Sequence, residues 1–386
     1  MSHSPRTEVL AYYFPQYHQD PRNDALHGPG WTEWDLLRAA RPRFAGHRQP
    51  IVPAWGEFDE SDPRWSAREI DLAADHGVTG FLYDWYWYDG QPFLQGALER
   101  GFLEAPNRER LKFALMWANH DWVDLFPHQA GHAAPLLMAG ATPRASFERL
   151  TDYVIAHYLH QPNYLSVDGA PYFSIYELST FIKGMGGLEP AREALEEFRV
   201  KVRAAGFPDL HLNAMVWGVA VLPSEVKLEN PAEVVTRLGF SSVTSYTWIH
   251  HYALDRAEGS TLPYREAATA NYALWDEYQH KFGVPYHPNV SVGWDSSPRT
   301  QQDVPHQVGP YPWYAILEGN TPAAFGEALT RARQYLERSD MTQKIVTLNA
   351  WNEWTEGSYL LPDTVNGTAH LEAIGQVFGP AVAADD

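Results

Sequence analysis

Two glutamates set three residues apart, Glu353 and Glu356, lie in the run Asn349-Ala350-Trp351-Asn352-Glu353-Trp354-Thr355-Glu356-Gly357, at the end of the last strand-like segment of the chain. On a helical turn that spacing puts both carboxyls on one face, with roughly 5–6 Å between Cβ atoms. Two anions that close repel, so one pKa rises and an acid stands beside a base. Carboxyl pairs about 5–5.5 Å apart suit retaining cleavage of a glycosidic bond, and pairs about 6.5–9.5 Å apart suit inversion. Trp351 and Trp354 add flat apolar walls, on which sugar rings stack through their axial C–H bonds.

Aromatic and polar clusters recur at other strand ends: Tyr12 to His18, Tyr83 to Tyr88, Trp117 to Trp122, Tyr246 to His251, and Trp294-Asp295. Together they describe an aromatic pocket with polar tips, the expected lining for a carbohydrate. Tyr13, Trp85, Trp87, Trp117, Asn119, His120, Asp121, Tyr246, His250, Trp351 and Trp354 are expected to shape its subsites, with Tyr176 and Glu177 hydrogen-bonding the sugar. His18, His120, His250, His251 and His287, with Asp121 or Asp295, are metal-ligand types. No ligand spacing such as H-E-x-x-H joins them, so they read as hydrogen-bonded pocket residues. Neither a metal nor an organic cofactor is expected. Gly184 to Gly187 lacks the lysine of a phosphate loop and reads as a flexible surface loop, and Glu225 to Glu233 reads as a charged loop.

Eight short apolar runs without helical periodicity are positioned to carry these clusters: Val9–Phe14, Gly80–Trp85, Lys112–Trp117, Pro171–Tyr176, His211–Val216, Ser242–Tyr246, Tyr286–Val292 and Lys344–Trp351. Amphipathic stretches of helical length separate most of them, among them Ala67–His76, Phe147–His160, Pro190–Ala205, Pro263–Lys281 and His370–Phe378. Alternation of this kind predicts an α/β fold, a single (β/α)8 TIM barrel over residues 8–380 with flexible termini at 1–7 and 381–386. Three long excursions, 21–62, 121–144 and 296–319, leave from the strand ends where barrel enzymes place their sites. A doubly wound sheet is the alternative, but no glycine-rich phosphate loop follows the first strand.

The 386 residues carry 29 Lys plus Arg against 48 Asp plus Glu, a net charge of −19, which disfavours nucleic acid and anionic membrane surfaces as partners. With 14% aromatics the chain is not of the disordered class. No apolar run reaches membrane-spanning length. Cysteine is absent, which removes disulfides, thiolate zinc sites and thiol nucleophiles. No basic segment followed by an apolar one opens the chain, so a cytoplasmic location is expected.

Taken together, these motifs resemble the WbsX-type family of bacterial polysaccharide-cluster proteins, which is similar to glycoside hydrolase family 99. The matching elements are Ala11 to His18, Gly30-Trp31-Thr32-Glu33-Trp34, Ala40-Arg41-Pro42 with Gly46 to Pro50, Gly80-Phe81 to Trp87, Trp117-Ala118-Asn119, Asp168-Gly169, and Ala350 to Gly357. The resemblance implies a (β/α)8 barrel that cleaves α-mannosidic links with retention, through a 1,2-anhydro sugar. Glu353 would then deprotonate the sugar 2-hydroxyl, and Glu356 would be the general acid and base. His120-Asp121 departs from the usual Glu-Asn after the third strand, which bears on which glycan is held. A glycosyltransferase of polysaccharide biosynthesis is the alternative. It needs a diphosphate site, for which neither a D-x-D motif nor a positive charge balance speaks. A non-catalytic carbohydrate-binding barrel is the third possibility.

Overall fold

The computed structural model describes residues 7–222, 225–255, 257–338 and 340–379. Nine short strands form one parallel ring: β1 (Glu8–Tyr13), β2 (Gly80–Tyr88), β3 (Lys112–Trp117), β4 (Ala170–Ile175), β5 (His211–Met215), β6 (Ser242–Thr244), β7 (Tyr286–His287), β8 (Asn289–Ser291) and β9 (Ile345–Asn349). β1 pairs with β2 on one side and with β9 on the other. The expected seventh strand is present but broken at Pro288, which has no N–H to give a ladder. Its first half pairs with β6 and its second with β9, so the ring passes through the break. Eight sequence runs thus become nine strands of a TIM barrel.

Helices cover the outside. The one expected from Ala67 starts earlier, at Pro63, because Asp62 caps it by accepting from the Arg64 N–H and Pro63 suits the first turn. The expected 147–160 helix runs from Arg144 to Val154 and closes in a π turn over Ile155–Leu159. Gly184 is not in a loop as expected. It lies inside the helix Leu178–Met185, where a Cβ would stand 2.4 Å from the Thr142 carbonyl oxygen. Both expected flexible termini fall almost wholly outside the described residues. No described helix is long and apolar enough to cross a membrane.

Every residue of β2 is buried, so alternation rather than burial separates its faces. Asp84 and Tyr86 point into the ring, while Trp85 and Trp87 point out, their indole N–H groups donating to Tyr158 (3.1 Å) and Ser146 (3.0 Å) on the helical layer. Tyr13 and Trp351 also face outward and meet at one buried carboxyl: Trp351 Nε1 donates to Glu69 at 2.9 Å and Tyr13 Oη at 3.1 Å.

Burial pushes the Glu69 carboxyl up to about 8, with the Glu60 charge adding to the shift. A group protonated in the fold and ionised in the unfolded chain contributes stability that is present below its ordinary pKa and lost as pH rises through the folded value. Between pH 5 and 8 this one group makes stability fall by up to ~1.4 kcal/mol per pH unit. Glu69→Gln is expected to flatten that fall in urea unfolding followed across the range. A decline as steep as that of the parent would contradict the assignment.

Candidate active site

A cavity opens at the C-terminal ends of the strands, and both glutamates of the terminal motif line it. Past β9, after the two-residue strand Asn352–Glu353, the chain makes a short 3-10 turn over Trp354–Glu356, with Glu353 at its N-cap and Gly357 ending it in the left-handed region at φ 63°. Residues three apart in a 3-10 turn eclipse one another, so the two carboxyls share a side. Only glycine fits at 357, since its ideal Cβ position lies 2.7 Å from the Asp295 Cβ. The Asp295 N–H donates to the Glu356 carbonyl. Asp295 is itself held by His47 Nε2 (2.9 Å) and Gln49 Nε2 (2.8 Å), bonds that outweigh its burial and keep its carboxyl below the usual range.

Arg299 is the buried cation that gathers the glutamates. It comes from the third long excursion, in the turn Ser297–Arg299. Its Nη1 bonds Tyr311 Oη at 2.7 Å and also Glu356, and its Nη2 bonds both Glu33 oxygens at 3.1 Å and Glu353 at 3.3 Å. The guanidinium also lies 5.1 Å from the Phe14 ring centre. Tyr311 Oη donates to Glu356 at 2.7 Å, and the Thr355 hydroxyl donates to Glu33. Burial opposes the Arg299 charge, but Glu33, Tyr311, Glu356 and Glu353 together hold it protonated.

Tyr246 Oη lies 2.8 Å from an Asp84 oxygen and 2.9 Å from a Glu353 oxygen. One phenol carries one proton and can donate to only one of them. Both contacts are favourable only when the Asp84–Glu353 pair holds a further proton. Burial raises the Asp84 carboxyl, and burial followed by the Glu356 charge raises that of Glu353. Glu33 is likewise raised by burial. Glu33, Glu353 and Glu356 bond one guanidinium, and burial shifts Glu33, Asp84 and Glu353 towards their protonated forms. This is acid–base equipment.

Of the expected site residues, Glu353, Glu356, His120, Asp121, Tyr176, Tyr246 and His250 line this cavity. Trp85, Trp87, Tyr13 and Trp351 lie on the outward face. Trp117 packs outward against Phe147 and Phe181, and Trp354 stacks on Tyr359 at 4.2 Å. Asn119 ties two strand ends together, exchanging bonds of 2.7 and 2.8 Å with the Glu177 backbone. The Glu177 side chain bonds Ser179 and the Val226 N–H rather than facing the cavity. Glu225 is not in an exposed charged loop: it is buried, accepting from Tyr176 Oη at 2.6 Å, with His250 at 3.6 Å. The other histidines considered as ligands are dispersed, His18 on Glu60, His251 on Ser245 and His287 on Gln343. Among the described residues, no group of three or more His, Asp or Glu side chains is arranged to hold a metal. Sequence reasoning missed Arg299, Tyr311, Glu33 as a side chain of the site, and Asp84. Asp84 left one usable signal, a lone acid inside an otherwise apolar and aromatic strand.

A family model described as Glycosyltransferase WbsX matches residues 9–374. The uncharacterized protein WxcX of Xanthomonas campestris pv. campestris is 28% identical over 381 residues, which is 98% of this chain and 50% of that protein. The chain spans about half the length of the curated relatives it matches. Among solved structures, the GH99 endo-alpha-mannosidase from Bacteroides thetaiotaomicron superposes with a TM-score of 0.57 at 12% identity, covering 96% of each chain. A glycoside hydrolase-like protein superposes with a TM-score of 0.60 at 14% identity, covering 99% of this chain and 96% of the other. At such identities the likeness is one of fold.

Proposed function

The chain belongs to the WbsX glycosyltransferase family, and from the carboxyl cluster in its barrel mouth we propose that it is a glycoside hydrolase that cleaves α-linked, mannoside-like glycosidic bonds with retention. The observation that carries this is the pairing of Glu353 and Glu356 on one turn, each in a different hydrogen-bond environment. Glu353 takes the proton of the sugar 2-hydroxyl, and the oxygen so freed attacks its own anomeric carbon. The glycosidic bond breaks as Glu356 gives its proton to the leaving oxygen. Glu356, now ionised, takes a proton from water. That water attacks the anomeric carbon and opens the 1,2-anhydro ring, while Glu353 returns its proton to the 2-oxygen. No external oxidant, reductant or group donor enters this sequence.

The shared fold with GH99 structures supports the hydrolase. The family description favours a second reading, a glycosyltransferase with a nucleotide sugar as donor. Arg299 argues against that one, because both of its terminal nitrogens are already taken by three glutamates and a tyrosine, which leaves only Nε without a partner. Among the described residues Arg299 is the one arginine lining the cavity, and a diphosphate bound by its terminal nitrogens would have to displace carboxylates. A nucleotide sugar that raised the melting temperature more than a glycan did would favour the transferase. His120, Asp121, Tyr176, Tyr246 and His250 are proposed to hold the sugar.

Proton NMR of the first-formed reducing end tests retention. The α-anomer is expected, and the β-anomer would contradict it. Tyr246→Phe supplies a pH test. With the further proton of the pair on Asp84, the Tyr246 hydroxyl donates to the Glu353 carboxylate and so favours its ionised form. Without that bond Glu353 ionises at higher pH, and the acidic limb of kcat/KM is expected to move up by about one unit. An unmoved limb would remove Glu353 from the role of base.

A further inference from the structure

The cavity is lopsided. Its carboxyls and its guanidinium come chiefly from β2, from the turn after β9 and from the excursion after β8. On the other side it is lined by Val123, Leu125, Val221, Leu222 and Ile249. Four of these five come from the segments after β3 and β5, the strands flanking β4, which stands across the ring from β9. A substrate that places its reacting carbon at Glu353 and Glu356 therefore points its far edge at aliphatic side chains.

Most polar atoms on that side are already engaged. Tyr176 Oη donates to Glu225, and Glu225 also accepts from the backbone N–H groups of Val221 and Leu222. His120 Nδ1 bonds the Asp121 carbonyl oxygen at 2.9 Å, and one Asp121 oxygen accepts from the Gly140 N–H at 2.8 Å. The second Asp121 oxygen, and His250 Nδ1 and Trp122 Nε1, which are both buried without a partner, are left for ring hydroxyls. A hydroxymethyl group pressed on the aliphatic wall would lose its water and find no partner there, which is unfavourable, whereas a methyl group gains from the same burial.

We infer that the substrate is a 6-deoxyhexoside, with a methyl group in place of the hydroxymethyl and a free 2-hydroxyl. The inference rests on the hydrolytic reading above, because neighbouring-group attack needs that 2-hydroxyl and so excludes an acetamido group at C2 as the source of the methyl. The wall, not the carboxyl cluster, sets this preference.

Calorimetric titration of the full chain with three probes tests it: methyl α-D-mannopyranoside, its 6-deoxy counterpart, and methyl 2-acetamido-2-deoxy-α-D-mannopyranoside. The first two differ by a single oxygen. The 6-deoxy sugar is expected to bind ~10–100-fold more tightly than the mannoside. Leu222→Asn, a half-buried position on the cavity edge, is expected to narrow that ratio at least several-fold by offering the hydroxyl a partner. Equal affinities, tighter binding of the mannoside or tightest binding of the acetamido sugar would each overturn the inference. Turnover of α-mannobiose, measured in parallel, separates its failure from that of the hydrolytic reading. Mannobiose cleavage without a deoxy preference overturns the inference alone, while binding of none of the three together with no cleavage overturns both.

Discussion

Glu356→Gln is expected to lower turnover by ~10²–10⁴-fold, the usual contribution of a positioned general acid, while the fold is retained by circular dichroism. The amide keeps the shape of the side chain and can still accept from Tyr311 and Arg299, which both bond Glu356 Oε1. What it loses is the exchangeable proton needed first by the leaving oxygen and then for the activation of water. The deficit is expected to shrink on substrates with an activated leaving group such as a nitrophenol, because departure no longer needs a proton, although the hydrolytic step still needs a base. A variant with near-parental turnover would show that Glu356 carries no proton in the reaction.

The second large effect concerns Arg299. Replacement by Met fills a similar volume but leaves Glu33, Glu353 and Glu356 facing one another without their cation. Breaking a buried ion pair from one side typically costs ~3–5 kcal/mol. The sign of the pH dependence follows from the same cluster. Burial already raises Glu33 and Glu353 and Arg299 opposes that rise, so without it these two ionise at still higher pH in the fold, and stability is present at acid pH and lost as pH rises. Chemical unfolding of Arg299→Met is therefore expected to show a larger deficit at pH 8 than at pH 5. An equal deficit at both would mean that lost packing against Phe14, rather than lost charge, accounts for it. Arg299→Lys is expected to recover part of the stability but not the turnover, since a point charge cannot span the three carboxylates that the guanidinium fork reaches.

The barrel was legible because a strand buried on both sides reads as a continuous apolar run, and eight such runs alternate with amphipathic stretches. That same double burial hid which face each residue takes. Along β2 the aromatic types do not say which of them point inward, a shift of one residue exchanges the two sets, and only the lone acid Asp84 marks a face. The expectation fell on Trp85 and Trp87, whereas Asp84 and Tyr86 face the cavity. The terminal motif was legible because its two carboxyls lie close in sequence. Arg299 was not, because it meets Glu353 across 54 positions, from a long excursion whose path composition does not reveal. Glu225 misled for a related reason: a charged residue in a charged segment looks solvated until its buried partners, Tyr176 and His250, are brought to it by β4 and the turn after β6.

The most direct test of the central claim is the position of α-mannobiose in crystals of the Glu356→Gln variant, which binds the sugar without turning it over. One ring is expected with its 2-hydroxyl within hydrogen-bond distance of Glu353 and its glycosidic oxygen beside the residue at 356. A disaccharide lying elsewhere, or turned so that its 2-hydroxyl points away from Glu353, would contradict hydrolysis through a 1,2-anhydro sugar at this site.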